Sequence, residues 1–294
     1  MNYLYYPGCS LEGTAREYDQ STREVMAALG VELQEIEDWT CCGASAADPT
    51  STLLSLALAA RNLALAEKSA KNPPGILVPC SACYLNLKKA SSAAGDPETR
   101  GKINEALGDE ELELKGSPVV RHLLDILSRD IGAGRIRHKV DSPLKGLRIA
   151  PYYGCQAIRP FVEFDDPEEP RSMEALIEAC GATVFPWHMG GKCCGAANMN
   201  TEPEVGAVLS GAILQAARGA DAIVTVCPMC QMNLEAYQRT ISKKYGADLS
   251  ISILYLPQFI GLAMGLAEKD LGLNLNLAID HAFMDKVRSE KRVA

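Results

Sequence analysis

Ten of the eleven cysteines in this 294-residue chain fall into two sets of five with closely similar spacing. Cys9 is followed by 31 residues, the pair Cys41–Cys42, 37 more residues and Cys80-x-x-Cys83. Cys155 is followed by 37 residues, the pair Cys193–Cys194, 32 more and Cys227-x-x-Cys230. Local context repeats too: YYPGC against YYGC, CCGA against CCGA, and VPCSACYLNL against VCPMCQMNL. Clustered cysteines in a reducing compartment point to metal or redox chemistry rather than to structural disulfides. A zinc site takes four ligands, commonly from two Cys-x-x-Cys knuckles. Each set here has one knuckle, one vicinal pair and one lone cysteine, and five thiolates overfill a single zinc ion. Neighbouring thiolates suit a multinuclear centre, because they can reach different metal atoms or bridge them. The bacterial ferredoxin run C-x2-C-x2-C-x3-C is absent. A thioredoxin-like reading of CSAC and CPMC is locally reasonable, since each follows an apolar run and precedes a predicted helix. It leaves six repeated cysteines without a role. Iron–sulfur chemistry accounts for all ten; zinc and a dithiol mechanism stay open as alternatives.

The elements that must position these thiols repeat as well. A period of about 147 residues predicts two homologous domains related by duplication, residues 1–140 and 141–294. The seam is expected in the polar, Gly- and Pro-containing stretch 130–146, and residues 95–117 read as a surface excursion of the first half. Residues 3–6, 76–79, 147–152 and 222–226 are short apolar runs ending at or just before a cysteine, and predict strands. Residues 50–69 and 203–218 are rich in Ala, Leu and other apolar residues at helical spacing, and predict largely buried helices. Asp48-Pro49 and Thr201-Glu202-Pro203 supply start signals for them. Strands alternating with helices predict an α/β fold with a small, mainly parallel sheet and flanking helices in each half. The cysteine loops then lie at the carboxyl ends of strands, where sites in such sheets gather.

Composition narrows the function. Apolar residues make up 47% and charged residues 22%, values of an ordinary globular chain, and the formal charge of −8 argues against general affinity for nucleic acid. The opening MNYLYYPGCS carries no charged region followed by an apolar run, so no secretory leader and a cytoplasmic location are expected. The most apolar stretch, 251–267, is interrupted by Ser252, Pro257 and Gln258 and predicts a buried strand and helix, not a membrane span. Cys180, outside both sets, reads as a buried structural thiol at a helix end. No G-x-G-x-x-G follows a strand; the nearest glycine-rich run, MGGKCCGAAN, carries cysteines of the second set. Electrons are therefore expected from partner subunits rather than from a flavin or nucleotide held here.

The pattern C-x31-CCG-x36-C-x-x-C, repeated as C-x37-CCG-x31-C-x-x-C, resembles the paired cysteine-rich CCG domains of the B-type subunit of heterodisulfide reductase, over nearly the whole chain. The resemblance implies one noncubane [4Fe-4S] cluster per domain, each built from two fused smaller iron–sulfur units and held by five cysteines. One would take Cys9, Cys41, Cys42, Cys80 and Cys83, and the other Cys155, Cys193, Cys194, Cys227 and Cys230. It further implies reduction of the coenzyme M–coenzyme B heterodisulfide to two thiols, split between the clusters. Electrons would come through a ferredoxin-like subunit and a flavin-bearing subunit of heterodisulfide reductase, within an electron-bifurcating complex of methanogenesis that can include a hydrogenase or formate dehydrogenase. Two clusters also suit the chemistry, since a disulfide needs two electrons and an iron–sulfur cluster normally passes one. Anionic substrate groups call for local cations, and Lys192, beside Cys193, and Arg159, four after Cys155, are the candidates. Lys88 and Lys89, a helical turn past Cys83, suit a partner subunit equally well. His188 is the candidate proton donor to a departing thiolate. The run DDPEEP at 165–170 reads as a solvated acidic loop. Two further readings compete. One is a related CCG protein that reduces another disulfide, for instance on a sulfur-carrier protein, or serves a lactate, glycolate or succinate dehydrogenase. The other is a non-catalytic electron-transfer or scaffold component.

Overall fold

The computed structural model describes residues 1–44, 46–69 and 75–291. It contains two sheets of four strands, every pairing parallel. The first comprises β1 (Asn2–Tyr5), β2 (Glu32–Glu35), β3 (Ile76–Val78) and β4 (Val120–His122), in the order β2-β1-β3-β4. The second comprises β5 (Arg148–Tyr152), β6 (Thr183–Val184), β7 (Ala222–Thr225) and β8 (Ser252–Tyr255), in the order β6-β5-β7-β8. The predicted α/β class and all four predicted strand runs are borne out, the runs being β1, β3, β5 and β7, the central strands. Those strands carry helices on both faces, which is why they read as near-continuous apolar runs.

Both predicted long helices form, at Thr52–Ser69 and Pro203–Ala216, the second with Pro203 at its first position. They are less buried than their composition implies. Leu53 and Leu54 on one, and Val205 and Val208 on the other, are exposed near the helix starts. Residues 95–117 are more than an excursion. The helix Pro97–Leu107 is capped by Asp96, whose carboxylate accepts the Thr99 N–H at 2.9 Å, and it buries Ile103 and Leu107 against Thr52–Ser69. Within the polar stretch 130–146, Gly132–Lys139 is helical and packs on Glu174–Ala179. The apolar stretch 251–267 forms β8 and the helix Leu256–Ala263, as predicted.

The halves are interlocked. The helix Arg16–Ala28 of the first half lies on Leu256–Ala263 of the second. Tyr18 stacks on Tyr255, with ring centroids 4.0 Å apart and planes 3° from parallel. Across the interface His122 stacks on Phe164 at 6.1 Å and 9°. One continuous core runs from the first sheet through this interface to the second half. Buried aromatic area of this kind, desolvated on both faces, fixes the halves relative to each other.

The interface also holds a buried carboxyl. Glu235, 7% exposed, accepts the N–H groups of Leu277 and Ala278, both at 3.3 Å, and the Asn276 amide at 3.4 Å. Burial raises its pKa from 4.5 to about 7, against the pull of those donors, and Glu17 of the other half adds to the rise. A carboxyl whose folded pKa is raised contributes stability that is complete below about pH 4.5 and is lost as pH climbs through 7. Glu235→Gln should therefore gain on the wild type by roughly 2–3 kcal/mol between pH 5 and pH 8, read as the difference in stability from denaturant unfolding at the two pH values. A constant difference across that range would contradict a raised pKa.

Candidate metal centres

In each half the strand order reverses between the two central strands, β1 and β3 or β5 and β7, opening a crevice at their carboxyl ends. Cys9 follows β1, the pair Cys41–Cys42 lies beyond β2, and Cys80 follows β3. Cys155, Cys193–Cys194 and Cys227 stand likewise beyond β5, β6 and β7. The five thiols of each half meet at this crevice. Cys9 Sγ lies 3.7 Å from Cys41 Sγ, and Cys42 Sγ lies 3.3 Å from Cys83 Sγ. In the second half Cys194 Sγ lies 3.5 Å from Cys230 Sγ, and Cys155 hydrogen-bonds Cys193. All eleven cysteines are free. Exposure repeats as well. Cys9, Cys41 and Cys193 are exposed and Cys155 is half-buried, whereas Cys42, Cys80, Cys83, Cys194, Cys227 and Cys230 are buried. Cys180 is fully buried at the end of Glu174–Ala179, away from both sets, and burial pushes its thiol up.

The supporting side chains are duplicated too. Tyr6 and Tyr152 donate to the carbonyls of Thr40 and Lys192, each at 2.7 Å, pinning the residue that precedes each vicinal pair. Asn86 donates to the Cys42 carbonyl at 3.0 Å, and Asn233 to the Cys194 carbonyl at 2.7 Å. Ser210 donates to the Cys194 carbonyl as well. Sequence reading did not single out these residues, although the signal was present in the repeats. Each tyrosine stands three before a lone cysteine, and each asparagine three after a knuckle. Cys80 and Cys227 are the N-caps of Ser81–Ala93 and Pro228–Ala236, and at Cys227 the backbone N–H groups of Cys230 and Met229 help draw the thiol down.

Crowding divides the thiols into those that ionise easily and those that do not. Hydrogen bonds from Cys41 and then Cys83 pull the Cys42 thiol down to about 4, while Cys41 and Cys83 are pushed up. In the second half Cys193 is drawn down to about 6 by its bond to Cys155, and Cys227 to about 7, first by Cys230. Cys155 and Cys230 rise correspondingly. Full ionisation of either set therefore needs a positive partner. Among the described residues no group of three or more His, Cys, Asp or Glu converges tightly enough to hold a single ion. The donor set fits a polynuclear iron–sulfur group better, being all-thiolate and five-fold, with two adjacent donors at a shared edge.

Two glycines mark how close the backbone comes to the sulfurs. Gly8 and Gly154, one residue before Cys9 and Cys155, have φ of 76° and 67°. A Cβ there would lie 2.8 Å from Cys83 Sγ and 3.0 Å from Cys230 Sγ.

The substrate candidates have polar partners of their own beside the second set. Lys192 is half exposed and sits 3.8 Å from Glu168. Arg159 donates to the carbonyls of Pro167 and Gly191 at 2.6 and 2.7 Å, with Glu168 at 3.7 Å. The DDPEEP run thus engages both cations rather than being merely solvated. Its own turns are held by Asp165 and Asp166, which accept backbone N–H groups. His188 and Lys192 line a cavity of about 610 Å³ with Trp187, Arg171 and Glu174, and no cysteine is among its described walls. Lys88 reaches Glu163 of the second half at 2.9 Å, and Lys89 reaches Asp48 at 3.0 Å.

Together these features define a tandem α/β protein with two matched all-thiolate sites. The cysteine-rich CCG domain profile matches residues 3–88 and 149–235, and the chain belongs to that family. A Wolinella succinogenes protein, the membrane anchor subunit of 8-methylmenaquinol:fumarate reductase, is 37% identical over 94% of this chain and 96% of its own. An Archaeoglobus profundus protein, named as resembling the B-type subunit of heterodisulfide reductase, is 30% identical over 93% of this chain and 94% of its own. The B-type subunit of the ferredoxin/F420H2-dependent CoB-CoM heterodisulfide reductase of Methanosarcina acetivorans is 28% identical, covering 96% and 95%. A solved structure of a hypothetical protein from Helicobacter pylori shares the fold, with a TM-score of 0.74 and 17% identity over 95% of this chain. The chain spans about half, 52%, of that protein. Among the described residues no helix is long and apolar enough to cross a membrane.

Replacing Gly8 with Ala should drive the Cys83 sulfur from its place and strain the backbone. Metal bound per chain should fall by roughly half, since only the first site is affected. A full metal load in that variant would contradict this role for the glycine.

Proposed function

We propose that the chain is the iron–sulfur subunit of a multisubunit oxidoreductase, made of units 1–140 and 141–294. It carries two noncubane [4Fe-4S] clusters and reduces a disulfide, with electrons from partner subunits. The observation that carries this reading is the duplication itself. Two complete five-thiol sites, each open at its lone cysteine and first vicinal cysteine, are more than a one-electron wire requires. When bound, each cluster supplies one electron and an iron that can take a departing sulfur. The protein's own part is to hold the disulfide so that both sulfurs are presented at once. The buried knuckles Cys80/Cys83 and Cys227/Cys230, with Cys42 and Cys194, would hold each centre from the protein interior. Cys9, Cys41, Cys155 and Cys193 leave its outer side accessible. Lys192 and Arg159, held by the 165–170 loop, would receive anionic substrate groups, and His188 would return a proton to a leaving thiolate.

Relatives named as heterodisulfide reductase subunits make the coenzyme M–coenzyme B disulfide the leading substrate, and ferredoxin-like and flavin components the leading partners. A second reading draws on the 37% identical fumarate reductase relative. On that reading the same clusters serve a flavin dehydrogenase acting on succinate or fumarate. Disulfide reduction driven by a reduced dye in the isolated chain supports the first reading. Fumarate-linked turnover that emerges only with an added flavoprotein supports the second.

Anaerobically purified protein should contain about eight irons per chain and little zinc. Cys194→Ser should remove the second centre's spectroscopic signal, keep the first, and abolish disulfide reduction. Near wild-type turnover in a variant lacking the second centre would overturn the two-cluster mechanism, and zinc in place of iron would overturn the whole reading.

A further inference from the structure

Beside the second thiol set lies the cavity of about 610 Å³ that His188 and Lys192 line, a volume that suits a small organic molecule. It is built by features of the second half. Between β6 and the vicinal pair the chain runs through residues 185–192, against residues 36–40 between β2 and Cys41. This longer segment and the acidic run 165–170 supply much of the wall. Phe185, Pro186 and Trp187 make one side apolar. The Trp187 indole N–H is spent on the Pro151 carbonyl at 3.0 Å, and Tyr152 meets the ring edge-on with centroids 6.1 Å apart. The indole is thus fixed in place, with only its apolar surface left for a ligand.

The polar side of the wall carries three carboxylates, Glu168, Glu169 and Glu174, against the two cations Arg171 and Lys192. Lys192 pairs with Glu168 at 3.8 Å and Arg171 with Glu169 at 3.7 Å, loose contacts between side chains at least half exposed. The Glu174 carboxylate has no hydrogen bond or ion pair of its own among the described residues. Tyr153 adds a donor. It is 1% exposed, and its Oη accepts the Met173 N–H at 3.1 Å, one residue from Glu174. The phenol proton itself has no acceptor among the described residues, and a buried donor is rarely left so. In the first half YYPGC puts Pro7 at this place, where the second half reads YYGC.

We infer that this cavity binds a small zwitterion, an α-amino acid with an apolar side chain. Glu174 takes the ammonium group. Tyr153 donates its proton to a carboxylate oxygen, and the loosely paired Lys192 and Arg171 add positive charge for the same group. Trp187 and Pro186 cover the side chain. A purely anionic ligand would leave the Glu174 carboxylate without a partner, and a purely cationic one would leave the Tyr153 proton without an acceptor. Nothing in this recognition needs iron, so it stands apart from the cluster reading proposed above.

The test is isothermal titration calorimetry of the anaerobically prepared full chain at neutral pH with three probes that share one aromatic body. L-Phenylalanine carries both charges, 3-phenylpropionate only the carboxylate and 2-phenylethylamine only the ammonium. Phenylalanine should bind once per chain, and each singly charged probe about tenfold more weakly or worse. Tyr153→Phe should weaken phenylalanine and phenylpropionate by about tenfold and leave phenylethylamine as it was. Glu174→Gln should weaken phenylalanine and phenylethylamine and leave phenylpropionate as it was. A singly charged probe that binds as tightly as phenylalanine, phenylalanine binding indifferent to both substitutions, or no binding of any probe would overturn the inference. The iron content of the same preparation is measured separately, so the cluster reading stands or falls on its own.

Discussion

Five thiols gathered at one crevice, with neighbouring sulfurs 3.3–3.7 Å apart, cannot all ionise at neutral pH unless positive charge lies among them, and the rest of this structure is arranged around that constraint. Hydrogen bonds from its neighbours pull Cys42 down and push Cys41 and Cys83 up, so protein alone favours a partly ionised set. A metal core reverses that balance. Thiolate sites of this kind bind metal most tightly when the scaffold has gathered the sulfurs beforehand. The scaffold here does so by placing the lone cysteine, the vicinal pair and the knuckle beyond three neighbouring parallel strands. Tyrosine and asparagine hydrogen bonds to the vicinal loops then hold the open side in shape.

Duplication supplies the second site, and interlocking relates the two. Each half packs an early element against the last strand of the other, Tyr18 on Tyr255 and Phe164 on His122. The exchange brings the buried knuckles toward the shared interface and leaves Cys9, Cys41 and Cys193 at the surface. A two-electron substrate that gives one sulfur to each centre requires such a fixed relation, because the geometry of two one-electron sites must be set before the substrate arrives.

Much of this was legible in the sequence. The cysteine repeat marked out both five-thiol sets, and the apolar runs marked the four central strands, since a strand covered on both faces has no polar alternation to hide it. The edge strand β2 was not legible: Glu32–Glu35 reads ELQE and is half exposed, so its strand state comes from pairing with β1 rather than from its own pattern. Gly132–Lys139 lies in a stretch whose polarity suggests a connector, and its helix is held by packing on Glu174–Ala179. Stacking of Tyr18 on Tyr255 and the burial of His122 were invisible, because both depend on contacts between distant halves. The cations Lys192 and Arg159 were found by proximity to cysteines, but their engagement with the acidic loop depends on a turn that only the fold reveals.

The most direct test of the account is an anomalous-scattering map at the iron absorption edge from crystals of the anaerobically purified protein. Two separate iron centres are predicted, one ringed by Cys9, Cys41, Cys42, Cys80 and Cys83, the other by Cys155, Cys193, Cys194, Cys227 and Cys230. A single centre shared between the halves, or a lone ion held by four of the five sulfurs in each, would contradict it.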